Sequence, residues 1–350
     1  MKELGPEAEG GPDLEPFRPE LGSLVERTRV VNIRCSVPII QNFMPWRKGN
    51  RLKLVAENEA SGRTLEIYSE IKQTLGVPQV NAIFQAFAVY PKFLDLFWQA
   101  MQPVAETQQF FHLGNRLRAE AYTRAHNYFL VPDLCSSAPA QRLSTEAQQA
   151  LSETVDMFHY LDPLLLLLAV ALMQAFEKPV GQPHRESVPA EHPIFLYRPA
   201  LMGEESAPLQ TKAVYEDMKR TLDVPVLSTA YQAFARFPAF LESYWSVLKP
   251  ATQSALYALS HTGIRESAWC LLDEFPARVD LTLDQLSAAG VSDDEITAVV
   301  RITEIFVEAL SRLVVNVALA KIGLEGGNTH MVAPWASSED HAKGEPKQAA

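Results

Sequence analysis

The stretch that decides the fold is Val77–Met101, VPQVNAIFQAFAVYPKFLDLFWQAM, because it returns at Val224–Leu248 as VPVLSTAYQAFARFPAFLESYWSVL. A constant offset of 147 pairs Tyr68 with Tyr215, Lys72 with Lys219, Pro78 with Pro225 and Gln85 with Gln232. The same shift pairs Pro91 with Pro238, Trp98 with Trp245, Pro103 with Pro250 and Arg118 with Arg265. Between positions 68 and 103 there are 15 identities in 36 gapless positions. Two copies of one unit must bury matching faces, so the pattern predicts a tandem duplication folded as an intrachain pseudo-dimer.

Around that stretch the apolar spacing is helical. Leu65, Tyr68, Ile71 and Leu75 recur on one face, and Gly76 is placed to end their helix in a left-handed turn. Pro78 is expected to open a second helix running to Tyr90, and Pro91 a third, with Phe93, Leu94, Phe97, Trp98 and Met101 as its apolar face. A fourth helix is expected from Val104 to Phe129, and Pro132–Ala140 as a loop. Thr145 with Gln148 reads as a capping box for a fifth helix. Asp162–Pro163 reads as the N-cap and first residue of a greasy sixth. The second copy follows the same order and closes on a helix capped by Ser292 with Glu295, with Val291 able to staple onto Ile296. No strand pattern competes, so the fold class is all-α. The expected organisation is a disordered acidic leader (1–22), an extended arm (23–60), helical repeat 1 (61–177), a linker (178–205), helical repeat 2 (206–324) and a disordered tail (325–350).

Composition narrows the function classes. The formal net charge is −11 over 350 residues. The leader accounts for −4 of it, with six acids against two bases. No basic stripe is present, which argues against nucleic-acid binding. The greasiest run, Leu164–Met173, is about half of the roughly 20 residues a bilayer span needs, so it reads as a buried helix and no membrane partner is expected. Three scattered cysteines (Cys35, Cys135, Cys270) and the lack of an apolar start suit a reducing cytoplasm. No phosphate loop, dinucleotide fingerprint, zinc motif or nucleophile elbow occurs, and no cofactor is expected. His112, Glu120 and His126 share a helix, but spacings of 8 and 6 do not gather them on one face, so no metal site is expected.

The helix–Pro–helix unit ending FQAFAxYPxFLxxxW, which recurs with Tyr231 and Phe237 in place of Phe84 and Tyr90, resembles the D,L-2-haloacid dehalogenase family of the DehI type. The resemblance spans roughly Ser61 to Leu324. It rests on Tyr68, Val77–Pro78, Phe84–Gln85–Ala86, Pro91, Trp98, the segment Phe158–Pro163, and in the second half Ala288–Gly290 and Asp293–Ile296. It implies an all-helical hydrolase that removes halide from a 2-halocarboxylic acid by direct attack of water, activated by an aspartate of the second half and positioned by an asparagine of the first. In this chain the aspartate's place falls on Thr229–Ala230 and the asparagine's on Asp162. Asp162 is therefore the candidate catalytic acid, its alternative role being the N-cap noted above. Ser228, Thr229, His159 and Tyr160 are candidate substrate contacts, the last two alternatively satisfied core groups.

Gln85 and Gln232, polar residues inside apolar helices, are either pocket groups or braces between the copies. Arg118 and Arg265 could hold a carboxylate if the pseudo-twofold brings them to the seam. Otherwise they pair with Glu120 and Glu266 at the surface. Trp98 and Trp245 are core anchors. Two functions stay open: a 2-haloacid dehalogenase with a small organic acid between the copies, or a relative that keeps the scaffold and binds a small acid, an apolar ligand or a partner protein without catalysis. A homodimer is compatible with either.

Overall fold

The computed structural model describes residues 52–135, 143–182, 188–224 and 226–329. The leader, the arm up to Arg51, Cys35, Pro225, part of the Pro132–Ala140 loop, part of the linker and the tail beyond Thr329 lie outside the described residues. Within them the secondary structure is helical: α1 (Gly62–Leu75), α2 (Ala82–Phe87), α3 (Pro91–Ala105), α4 (Gln108–Tyr128), α5 (Thr145–Ala175), α6 (Leu209–Leu222), α7 (Thr229–Phe234), α8 (Pro238–Thr252), α9 (Ala255–Leu271), α10 (Leu283–Ala288) and α11 (Asp293–Leu324). Among the described residues the β-type pairing consists of two isolated bridges, Thr107 to Pro189 and Val180 to Val279.

The bounds of α6, α7 and α8 fall 147 residues after those of α1, α2 and α3. Their local causes recur too. Pro91 and Pro238 each occupy the first turn of a helix, where a missing N–H costs nothing. Asn81 and Ser228 cap α2 and α7 with side-chain oxygens, and Thr107 and Ser254 cap α4 and α9. Gly76 ends α1 at φ 66° and Asp223 ends α6 at φ 51°. Aspartate is one of the few side chains that tolerate that left-handed turn. The segments ahead of α1 and α6 are anchored alike. The Tyr68 hydroxyl donates to Val55 O and that of Tyr215 to Met202 O, while Lys72 pairs with Glu57 and Lys219 with Glu204.

Several expected boundaries are corrected. Pro78 does not open a helix; α2 begins at Ala82, where Asn81 supplies the cap. The expected helix from Val104 is two elements, broken at Glu106–Thr107. Ser144, not Thr145, caps α5. Asp162–Pro163 starts nothing: α5 runs unbroken through it for 31 residues. Both flanks of the proline are strongly apolar and buried, so tertiary packing holds the helix together across the missing N–H. The capping box of Ser292 with Glu295 on α11 is present as expected.

α5 and α11 pack along each other at the centre, with α4 and α9 against them. The short helices cross over: α2 of the first half lies on α11, and α7 of the second lies on α5. α5 is long and apolar enough to cross a bilayer, but 89% of its apolar window is buried against the rest of the protein. Trp98 is fully buried and Trp245 nearly so, both core anchors as expected.

Candidate functional site

Because each short helix rests on the long helix of the other half, the N-termini of α2 and α7 meet at the seam. Asn81 makes the link directly: its Nδ2 donates to Thr229 Oγ1 at 3.1 Å while its Oδ1 caps α2. Beside this contact lies a narrow cavity of about 60 Å³, room for a few waters or one compact ligand. Both halves line it. Leu52, Asn81 and Ala82 come from the first, and Ser228, Tyr231 and one face of α11 from the second. The walls are mainly apolar, including Val226, Leu227, Ile305 and Phe306.

Two polar groups on α11 set the chemistry of the cavity. Arg312 donates from Nη1 to Leu222 O at 2.7 Å and pairs through Nη2 with Glu308 at 2.7 Å. Arg265 pairs with the other oxygen of Glu308. Two guanidinium groups thus share one carboxylate, so the three carry one net positive charge, and Arg312 is the member that lines the cavity. Asn316 gathers three phenols: its Nδ2 donates to Tyr231 Oη at 2.8 Å, its Oδ1 accepts from Tyr257 at 2.9 Å, and its carbonyl accepts from Tyr244 at 2.8 Å. At matching positions the first half has Phe84, Phe97 and Phe110. The second half has therefore built a buried polar cluster where the first has plain aromatic packing.

Asp162 stands behind this cluster. It is fully buried, neither carboxylate oxygen has a hydrogen-bond partner, and it does not line the cavity. Burial pushes its pKa well above the ordinary carboxylate range, which favours the protonated form. Its charged form would bear on Tyr231 and Tyr244, whose own pKa values burial raises.

The sequence candidates are only partly brought together. Ser228 lines the cavity, and Thr229 is buried at its edge on Asn81. Gln85 and Gln232 are not pocket groups and do not brace one half on the other. Each donates to the carbonyl five residues before it, Val80 O and Leu227 O, tying down the turn ahead of its own helix. Arg265 reaches Glu308 rather than Glu266, because α11 brings the carboxylate to it. Glu120 is taken by Arg124, not by Arg118. Arg118, His159 and Tyr160 line a different cavity altogether. Arg312, Asn316, Asn81 and Tyr231 were not singled out from the sequence. A signal existed for three of them: an arginine and an asparagine inside the apolar run of α11, and for Tyr231 one of three phenylalanine-to-tyrosine differences between positions 147 apart.

Comparison with known proteins bears on the same region. The family model described as "Halocarboxylic acid dehydrogenase DehI" matches residues 78–231, which hold α2, α5 and the start of α7. This chain is similar to the DehI family over those residues. An (R)-2-haloacid dehalogenase of Pseudomonas putida is 28% identical over 276 residues, covering 76% of this chain and 90% of the relative. A second, of Rhizobium sp. (strain NHG3), is 24% identical over 239 residues, covering 67% and 93%. The solved complex of a D-2-haloacid dehalogenase with L-LA superposes with a TM-score of 0.73 at 26% identity, covering 80% of this chain and 99% of that one. The complex of a mutant with D-2-CPA gives 0.72, also at 26% identity, covering 80% and 98%.

Proposed function

We propose that this chain takes a small 2-substituted carboxylic acid, of the 2-halo acid class on which its named relatives act, into the cavity between its halves. The observation that carries this reading is the Arg312 guanidinium on a mainly apolar wall, part of an Arg312–Glu308–Arg265 group that carries one net positive charge. A carboxylate there meets a planar donor with little water to compete, while the walls accept a halogen or alkyl group at C2. The same reading treats the two halves as copies of one ancestral unit, supported by helix bounds, caps and anchoring contacts that recur 147 residues apart.

At neutral pH the reading is of binding without turnover. Direct attack of water needs a base within reach. The described residues lining the cavity include hydroxyls and amides but no carboxylate. Thr229 and Ala230 offer none at the place where the family resemblance puts the aspartate, and Asp162 is buried behind the wall, where desolvation disfavours its charged form. The test is a thermal-shift series with both enantiomers of 2-chloropropionate, lactate and propionate, run beside a halide-release assay. A raised midpoint with no halide released supports binding alone; no shift with any of these acids would count against the cavity as an acid site.

One observation favours a catalytic second reading. Asp162 has two unpartnered oxygens next to Tyr231, which itself lines the cavity. If Asp162 activates water, halide release rises with pH as the acid ionises and disappears in D162N. Release that is flat with pH, or retained in D162N, contradicts that role.

A further inference from the structure

The second cavity, of about 520 Å³, opens to solvent between α4, α5, the end of α11 and the segment carrying Pro193 and Phe195. Its walls are aromatic: Tyr122, His159, Tyr160 and Phe195 all line it. Tyr160 packs on Phe195 with ring centres 5.2 Å apart, and Tyr122 on His159 at 6.0 Å. Both tyrosine hydroxyls are engaged elsewhere, on Leu75 O and Glu325, so the rings are fixed in place.

The charges at this cavity are unevenly matched. Lys321 is held by two carboxylates, Asp156 at 2.6 Å and Glu325 at 3.0 Å. Arg118 has no hydrogen-bond or ion-pair partner among the described residues. Its counterpart 147 positions on, Arg265, is paired with Glu308. Aligning α5 with α11 on their N-cap serines, Ser144 and Ser292, sets Tyr160 opposite Glu308. The second half has closed this position with an ion pair, whereas the first half has an aromatic wall, an open hollow and an arginine with nothing to hold. His159 adds a second group awaiting a partner, its Nε2 being buried without a hydrogen bond. Burial lowers its pKa to about 4, so it stays neutral and can offer one hydrogen bond without adding charge.

We propose that this second cavity is a binding site for a planar aromatic carboxylate, separate from the acid site at the seam, with the carboxylate on the Arg118 guanidinium and the ring among Tyr122, His159, Tyr160 and Phe195. A guanidinium matches a carboxylate through two parallel hydrogen bonds, and ring stacking favours a flat ligand over an aliphatic one of equal charge. The volume lies within the range typical of small-molecule pockets.

The experiment is calorimetric titration of the full chain with benzoate, and with propionate as the ringless control, in wild type, R118Q, R118K and R312Q. The expected result is one-to-one benzoate binding weakened about tenfold or more in R118Q, and less in R118K, which keeps the charge and loses the fork. R312Q should leave it unchanged, and propionate should bind this site weakly. Circular dichroism and response to 2-chloropropionate report whether R118Q is folded. Absence of benzoate binding in wild type overturns the proposal, as does unchanged affinity in a folded R118Q. Loss in R312Q but not in R118Q also overturns it, since that would place benzoate in the seam cavity.

Discussion

Asp162 gives the molecule a pH signature of defined sign. In an unfolded chain an aspartate titrates near about 3.9. In the folded protein burial holds the proton to a much higher pH. Between the two values the folded state binds one more proton than the unfolded state, so stability falls as pH rises through that window, by at most about 1.4 kcal/mol per pH unit. D162N removes the titration while keeping size and shape. Its urea midpoint should match wild type near pH 4 and exceed it increasingly as the pH rises above 5; parallel curves would mean that Asp162 is ionised in the fold. Asn316 is the other residue on which much depends. N316A strands the Tyr257 hydroxyl and opens a small void, and should cost about 2–4 kcal/mol by urea unfolding. Y257F, which removes one hydroxyl and leaves the asparagine, should cost nearer 1 kcal/mol. Equal losses in the two would show that the phenols do not converge on Asn316.

At the scale of elements, close approach decides the packing of α4 on α5. A Cβ built on Gly114 would stand 2.3 Å from Leu164 Cδ2 and 3.1 Å from its Cγ, and Leu164 is buried on all sides. Alanine in a helix normally gains up to about 1 kcal/mol over glycine, but overpacking a filled core costs about 1–3 kcal/mol. G114A should therefore destabilise by about 1–2 kcal/mol, read as a lower urea midpoint; a gain in stability would mean that the contact is loose. Elements were well legible where a local cause acts alone. The prolines opening α3 and α8, the Gly76 cap and the box at Ser292 all depend on residues within one turn. The reading failed at Asp162–Pro163, where local chemistry favours a helix start and the surrounding core overrides it. It also failed at Pro78, where the true cap, Asn81, stands three residues further on.

For the whole molecule, the offset of 147 made the fold class readable, because a pattern that recurs reports its own boundaries. What it could not convey was how the halves engage. The crossing of α2 onto α11 and α7 onto α5 places Asn81 against Thr229 and brings Arg312 to the seam, although 231 positions separate Asn81 from Arg312. Arg118 and Arg265, matched in sequence, end in unlike surroundings for the same reason: a carboxylate reaches one and an aromatic wall the other. The site was legible at Ser228 and Thr229, which the family resemblance marks. It was hidden at Arg312, whose importance depends on Glu308 being shared with a second arginine.

The central claim is that the seam cavity holds a small organic acid through Arg312. Calorimetric titration of 2-chloropropionate at pH 7 into wild type, R312Q and R312K tests it most directly, with thermal melts to verify that each variant is folded. The account predicts one-to-one binding weakened about 10- to 100-fold in R312Q, partly kept in R312K, and unchanged in R118Q. Equal affinity in wild type and a folded R312Q, or no binding by wild type, would contradict it.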